Sequence, residues 1–232
     1  MDNLEKNKYY IWFSYIKNIS LRIKKILLDK YMDPSKIFYK SEIQLLDELQ
    51  FLKEKNIKNI VQELVNDFYK NNLEKNLKIM NRQNIKVLTI EDKSYPESLK
   101  RIYDAPICIY YKGNINVLNK KTKIAIICFR DYTEYGKKLA LKFSYELAKN
   151  GIIVVSGCAR GIDSFAHKGC ILANTETIAV LGNGLDYIYP PENKELEEEI
   201  IKNNGVLITE YPVGTKPDKY TFPARNRIIS AL

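Results

Sequence analysis

Two patterns of hydrophobic spacing divide the chain. Up to about residue 82, apolar residues recur at helical spacing, which is typical of helices that bury one face. One such series is Ile57, Val61, Leu64 and Phe68. From Ile85 onward, short apolar runs alternate with helical patterns. The spacing therefore predicts a helical N-terminal domain over residues 1–82 and a second domain over residues 83–232.

The second domain has the order of elements that builds an α/β sheet. Short apolar runs typical of strands lie at 85–90, 107–111, 123–127, 152–155, 177–181 and 206–209. Helical patterns fill the spaces between the last four runs, and Asn-Gly pairs at 150–151 and 204–205 mark helix ends. Ser41 with Gln44 has the capping-box spacing that opens a helix in the first domain. Strands that alternate with helices predict a parallel, doubly wound sheet.

In such a sheet, ligands bind outside the carboxyl ends of the strands. Four loops follow strands and should open on one rim: FRDYTEYG, SGCARGID, GNGLD and TEYPVGTKPDKYTFPARNR. They offer cations for phosphates, glycines for close backbone approach, and aromatic rings for bases. The cations are Arg130, Arg160, Lys216, Arg225 and Arg227; the glycines are Gly157, Gly161, Gly182 and Gly184; the rings are Tyr189, Tyr211 and Phe222.

The second of these loops has the features of an anion site. The strand at 152–155 leads into the turn SGCARG, and a helical pattern begins directly after Gly161. Gly157 and Gly161 remove side chains that would keep a ligand from the backbone, and a helix N-terminus attracts negative charge. The alternative is a turn that needs glycine only for its own geometry.

Charge and composition narrow the class of partner. Lysine and arginine total 37 against 28 acids, a net charge of +9, which favours an anionic partner such as nucleic acid over an acidic protein.

The four cysteines form no C-x-x-C pair and His167 is the only histidine, so no metal site is expected and a reduced, cytoplasmic setting is favoured. No apolar run approaches the roughly 20 residues of a membrane span. A Rossmann dinucleotide site would need G-x-G-x-x-G after its first strand, where this chain has CFRDYTEYG.

Several spaced motifs together resemble the DNA-processing protein A family of bacteria, DprA or Smf. They are SGCARGIDSFAH, TIAVLGNGLDYIYPPEN, ITEYPVG and FPARNRIIS, with YPESLKRIYDAPICIYYKG upstream. The resemblance implies an extended Rossmann-like domain after a small N-terminal domain of the SAM or helix-hairpin-helix type. It also implies a protein without enzyme activity or cofactor that binds single-stranded DNA, protects it, and helps load the RecA recombinase in natural transformation and recombination.

The resemblance also assigns residues. It places the family's phosphate-binding turn on Ser156, Gly157, Ala159, Gly161, Ile162 and Asp163, its second glycine turn on Gly184 and Asp186, and its basic motif on Phe222, Pro223, Arg225, Asn226 and Arg227. The two arginines are expected to grip backbone oxygens bidentately while Phe222 stacks on a base. Asp186 is expected to order its own turn and His167 to be structural.

Two departures from the family pattern carry expectations of their own. Cys128 and Phe129 precede Arg130 where the family has Gly-Ser/Thr, so a side chain occupies space in which backbone would meet phosphate. The sequence also stops at RNRIISAL, where the family continues through further strands. We therefore expect part of the core and the family's homodimer surface to be missing from this chain.

Two other function classes remain open. Related Rossmann-like proteins cleave nucleoside monophosphates, and Glu210 at the end of a strand would be the acid or base of such an N-glycosidase, although a P-G-G-x-G-T-x-x-E signature is absent. A nucleotide-binding module would use the same glycine loops and no catalytic residue.

Overall fold

The N-terminal part of the chain is helical, as its spacing predicts. The computed structural model describes residues 3–52, 56–120, 122–127 and 131–232. Its first helices are α1 (Asn3–Lys6), α2 (Lys8–Tyr15), α3 (Leu21–Tyr31), α4 (Ser35–Phe38), α5 (Glu42–Glu48), α6 (Ile57–Val65) and α7 (Asp67–Arg82). The capping box is confirmed at α5, where Ser41 accepts from the Gln44 N–H and the Gln44 side chain accepts from the Ser41 N–H.

Six strands form one mixed sheet in the second part of the chain. They are β1 (Lys86–Thr89), β2 (Cys108–Gly113), β3 (Lys123–Ala125), β4 (Ile153–Ser156), β5 (Thr177–Val180) and β6 (Val206–Thr209), in the spatial order β1-β2-β6-β5-β4-β3. The strands β3, β4, β5 and β6 pair with one another in parallel, whereas β2 pairs antiparallel with both β1 and β6. The α/β prediction is confirmed, and the parallel arrangement holds for β3 to β6. Parallel neighbours are usually joined by a helix that crosses the face of the sheet, and the helix within residues 90–107 is only four residues long.

Five further helices connect or cover the strands. They are α8 (Glu97–Lys100), α9 (Glu134–Lys149), α10 (Ile162–Leu172), α11 (Lys194–Lys202) and α12 (Thr221–Ala231). Thr133 caps α9 by accepting a 3.0 Å hydrogen bond from the Gly136 N–H. No helix in the described part of the chain is long and apolar enough to cross a membrane.

The helical segment and the sheet share one continuous core. Buried side chains run from Trp12 in α2 through Leu77 in α7 to Ile208 in β6. The hydroxyls of Ser14 and Tyr110 are hydrogen-bonded across the junction. The helical segment ends at residue 82 and the first strand follows, but the buried contacts continue across this boundary.

A close contact between α9 and α10 fixes the helix layer beside β4. A Cβ atom at Gly169 in α10 would lie 2.6 Å from the Leu141 carbonyl oxygen and 3.0 Å from the Tyr145 nitrogen, and would also overlap Ser144 Oγ. Two of these neighbours are backbone atoms of α9, which cannot move by a side-chain rotation. The two helix backbones can approach this closely only because residue 169 has no side chain.

Replacing Gly169 by alanine should therefore destabilise the protein. Alanine gains about 1 kcal/mol of helix propensity over glycine. Overpacking a closed contact costs roughly 1–3 kcal/mol, and the backbone overlap puts Gly169→Ala toward the high end, for a net loss of about 1–2 kcal/mol. Urea denaturation measures this difference, and Lys168→Ala on the exposed side of α10 is the matched control. A more stable Gly169→Ala protein would show that α9 moves away without cost.

Candidate nucleic-acid interface

The turn between β4 and α10 has the predicted strand, turn and helix order. Ser156 ends β4, and its hydroxyl donates a 2.6 Å hydrogen bond to the Ile126 carbonyl just beyond β3. Cys158 and Gly161 adopt positive φ values of 56° and 84°. Such values favour glycine, so Gly161 is suited to the residue that directly precedes the helix. The turn thus brings the N-terminus of α10 to the carboxyl end of the sheet.

Gly157 is required by an arginine beneath the turn. The Arg225 side chain, only 3% exposed, reaches from α12 and donates from Nη1 to the Gly157 carbonyl at 2.7 Å and to the Val180 carbonyl. A Cβ at Gly157 would lie 2.6 Å from Arg225 Nη1 and 2.5 Å from Asp163 Oδ2. The missing side chain therefore makes room for a guanidinium and a carboxylate of the protein itself, a reason that the sequence did not indicate.

Two polar side chains hold the other half of the turn. Ser164 Oγ donates to the Ala159 carbonyl at 2.7 Å, and Asn193 Nδ2 donates to the Cys158 carbonyl at 2.8 Å and to Ser164 Oγ at 3.0 Å. Asp163 in the first turn of α10 accepts from the Ala159 N–H at 3.4 Å. Asn193 is a residue of this site that sequence reasoning missed. Its position before α11 in the PPEN run gave no sign of a partner 35 residues earlier in the chain.

The second glycine turn is held against the loop after β6. The Gly184 N–H donates to the Thr215 carbonyl at 2.9 Å, and Asp186 Oδ2 accepts from the Gly214 N–H at 2.8 Å. A Cβ at Gly184 would lie 2.6 Å from the Pro212 carbonyl oxygen. Gly184 and Asp186 therefore support the loop of residues 212–215, and the expectation that Asp186 orders its own turn stays a prediction.

Arg227 is bound within the protein. Its guanidinium pairs with Glu210, with 2.7 Å between Nη2 and Oε2, and with Asp104, with 2.7 Å between Nε and Oδ2. Burial opposes the charged form, but the hydrogen bonds and charges of Glu210 and Asp104 outweigh it and raise the pKa of Arg227. Direct phosphate contacts by Arg225 and Arg227 stay predictions, and the internal bonds of both side chains do not favour them.

The structure brings part of the predicted rim together around a cleft of about 450 Å³. Its described lining is Ile127, Ala159, Asp163, Tyr189, Pro217, Asp218, Lys219, Phe222, Pro223, Arg225 and Asn226. The Phe222 ring lies against Gly182 and its centroid is 5.4 Å from that of Tyr189. Sequence reasoning did not single out Lys219, which the TEYPVGTKPDKYTFPARNR loop contributes to the cleft.

Two of the predicted cations are exposed near these loops. Lys216 is exposed in the loop that leads to Pro217, and Arg160, next to Ala159, has a 60% exposed side chain that pairs with Glu192. The predicted contact of Arg130, and the departure at Cys128 and Phe129, lie outside the described residues. Lys219 and Arg225 in the described lining face two acids, Asp163 and Asp218. Attraction of an anion therefore depends on the exposed cations and on the N-terminus of α10.

His167 and Glu210 have structural surroundings. His167 is fully buried, its Nδ1 lies 2.8 Å from Thr177 Oγ1, and burial lowers its pKa to about 3. Glu210 accepts hydrogen bonds from Arg227 on both carboxylate oxygens and does not line the cleft. Within the described ranges, no cluster of histidine, cysteine or acidic side chains has the arrangement of a metal site.

Comparison with known proteins decides the family. Residues 86–232 match the family model of DNA recombination-mediator protein A, which is more than half of the chain. The chain belongs to this family. The resemblance found in the sequence motifs is thereby confirmed.

Curated relatives agree with this assignment. Protein Smf of Synechocystis is 44% identical over 154 residues, which cover 65% of this chain and 38% of the relative. The DNA processing protein DprA of Bacillus subtilis is 42% identical over 150 residues, which cover 65% of this chain and 50% of the relative. The chain thus spans half or less of the length of these two family members.

Solved structures of the family share the fold. The crystal structure of DNA processing protein A from Streptococcus pneumoniae superposes with a TM-score of 0.72 at 31% identity, over 100% of this chain and 75% of that one. The protein from Helicobacter pylori, whose structure was described for its single-stranded DNA binding mode, superposes with a TM-score of 0.57 at 35% identity, over 63% of this chain and 65% of that one.

Arg225→Met should destabilise the family fold. Methionine fills similar space but leaves the Gly157 and Val180 carbonyls without their donor and Asp163 without a neighbouring cation. Unpaired buried polar groups cost about 1–3 kcal/mol each, so we expect a total loss of about 3 kcal/mol. Denaturant unfolding measures it, with Arg160→Met at an exposed arginine as the control that should change little. Equal stability of the two variants would contradict the supporting role of Arg225.

Proposed function

We propose that this protein binds single-stranded DNA without sequence preference, along the cleft at the N-terminus of α10. The observation that carries the proposal is the turn of residues 157–161, which buried internal hydrogen bonds hold open toward a cleft with aromatic walls. Family membership and the single-stranded DNA binding described for the Helicobacter pylori protein support it.

Backbone groups and exposed cations provide the phosphate contacts in this proposal. The first N–H groups of α10 have no partner within the helix, and the helix dipole adds partial positive charge at the same place. Arg160, Lys216 and Lys219 are exposed and can reorient toward a phosphate at little cost. Arg225 acts from below by fixing the turn, and Arg227 by holding α12 to Glu210 and Asp104. The family motif adds Arg130 to the cations proposed to contact phosphates.

Aromatic side chains provide the base contacts. Phe222 and Tyr189 both line the cleft, and the packing of Phe222 against Gly182 fixes the orientation of its ring. A base that stacks on a fixed ring gains about 1–3 kcal/mol whatever its identity. Base stacking together with contacts to the DNA backbone gives an affinity that does not depend on the base sequence, which suits a protein that coats single strands.

The proposed cellular role follows from the family. The protein would protect incoming single strands in the cytoplasm and help load RecA during natural transformation and recombination. The RecA contact in this proposal is implied by the resemblance. The role requires no catalysis, and the bonding of Glu210 to Arg227 argues against its use as the acid or base of an N-glycosidase.

Arg160→Gln should weaken binding of every single-stranded sequence alike. The loss of one phosphate contact lowers the slope of log affinity against log salt by roughly 0.7. Fluorescence anisotropy with thymine-only and mixed oligonucleotides over a salt series measures both effects. Arg22→Gln, an exposed arginine on α3, is the matched control and should behave as the wild type.

Three outcomes would contradict the proposal. An unchanged salt slope would exclude a phosphate contact by Arg160, and a loss confined to one sequence would indicate base reading. If free AMP displaces the oligonucleotide when both are present at the same total phosphate concentration, a nucleotide-binding module would be favoured instead.

A further inference from the structure

A second cavity lies between the helical segment and the sheet. It has a volume of about 370 Å³, which is within the range of small-molecule sites. Its described lining is Ser14, Tyr15, Ile16, Lys17, Ile19, Leu21, Lys24, Pro106, Ile107, Cys108, Glu210, Tyr211, Pro212, Thr215 and Thr221. None of these residues lines the proposed DNA cleft, so the two sites are distinct.

Most of the cavity wall is apolar. Ile16, Ile19 and Leu21 contribute from the α2–α3 connection and the start of α3, and Pro106 and Ile107 contribute from the segment before β2. Walls of this kind bury the hydrocarbon part of a ligand and leave its orientation to a few polar groups.

Lys24 is the polar group that distinguishes this cavity. It is only 3% exposed, and its Nζ donates to the Ser14 carbonyl at 3.1 Å and lies 5.8 Å from the centre of the Phe13 ring. An ammonium has three N–H donors, and a buried charge is costly unless it is paired. In the described part of the chain, Lys24 forms no ion pair.

The acid in the same wall is already neutralised. Both carboxylate oxygens of Glu210 accept from the Arg227 guanidinium. Lys24 therefore brings to the cavity a buried ammonium whose charge is not matched by a dedicated carboxylate. Lys17, the other cation in the wall, is exposed to solvent. One buried cation in apolar surroundings matches a ligand with one negative charge better than a phosphate dianion, because the other cation of the described lining is the solvent-exposed Lys17.

We propose that this cavity binds a small, largely apolar carboxylate, with the Lys24 ammonium as its counter-ion and the walls from α3 and the segment before β2 around its hydrocarbon part. The site is separate from DNA binding and does not depend on the function proposed above.

Binding should be linked to proton uptake. Burial lowers the pKa of Lys24 to about 7, against the opposing influence of the Glu210 charge. A bound carboxylate favours the charged amine and raises that pKa, so above pH 7 the ligand must bind together with a proton. The affinity should be nearly constant from about pH 5 to 6.5, where the ligand is ionised and Lys24 is mostly charged, and should fall about tenfold for each pH unit well above 7.

The other titratable groups that face Lys24 do not change this dependence. Burial raises the pKa of the Cys108 thiol to about 12 and that of Tyr211 to about 12, and it also raises the pKa of Tyr15. These three groups stay neutral in the range where Lys24 titrates. Glu210 remains paired with Arg227, and Lys17 faces solvent.

The test compares acids with their neutral amides. Benzoate and hexanoate are titrated into the full chain by calorimetry, beside benzamide and hexanamide, at pH values below and above the pKa of Lys24. We expect the acids to bind at least about tenfold more tightly than the amides, as for a charge-assisted contact of about 1.4 kcal/mol or more. Calorimetry in buffers of different ionisation enthalpy should show little proton uptake at about pH 6 and uptake approaching one proton above about pH 8.

Two variants separate the charge from the cavity. Lys24→Met replaces a buried amine by an apolar side chain of similar length and should abolish the preference for acids, while Lys25→Met on the exposed side of α3 should keep it. The double variant Leu21→Trp with Thr215→Trp places two indole rings in the cavity wall and leaves Lys24 in place, so it should weaken the binding of acids and amides alike.

Three results would overturn the proposal. They are equal binding of acids and amides, no binding of either acid at millimolar concentration, and an acid preference that survives in Lys24→Met. Should Lys24→Met fail to fold, the comparison of acids with amides still tests the charge and the double variant still tests the location, because undiminished acid binding in the double variant places the ligand elsewhere.

Discussion

The guanidinium of Arg225 is the contact on which the proposed interface depends. It joins the carbonyl of Gly157, in the turn after β4, to that of Val180, at the end of β5, and it comes from α12. Three segments far apart in sequence are therefore held by one side chain. A buried guanidinium is costly unless its N–H groups are satisfied, so this geometry is stable only while both carbonyls and Asp163 stay in place. The turn is already ordered before a ligand binds, and this order lowers the entropic cost of binding.

Local features of the sequence predicted the fold better than long-range ones. The capping box at Ser41 and Gln44, the helices up to residue 82 and the alternation from β3 to β6 all rest on residues close in sequence. The antiparallel pairing of β1 with β2 and of β2 with β6 depends on which edges meet, which spacing alone does not determine.

The site shows the same division between local and long-range information. The strand, turn and helix around Gly157 follow from local patterns, but the direction in which an arginine points does not. The motif FPARNR contains one arginine that is buried under the turn and another that is paired with Glu210 and Asp104. The motif resemblance assigns the same role, contact with backbone phosphates, to both arginines. Asn193 was missed for a related reason, since its partners lie in a turn that is distant in sequence and adjacent only in the folded chain.

The backbone amide shifts of the protein on titration with a short single-stranded oligonucleotide test the central claim most directly. If the ordered turn at the start of α10 is the phosphate site, the largest shifts should fall on residues 159–164 and on the loop of residues 216–222. The turn should keep the rigid amide order it has without DNA. Shifts concentrated in the helical segment before residue 82, with residues 159–164 unmoved, would contradict the account.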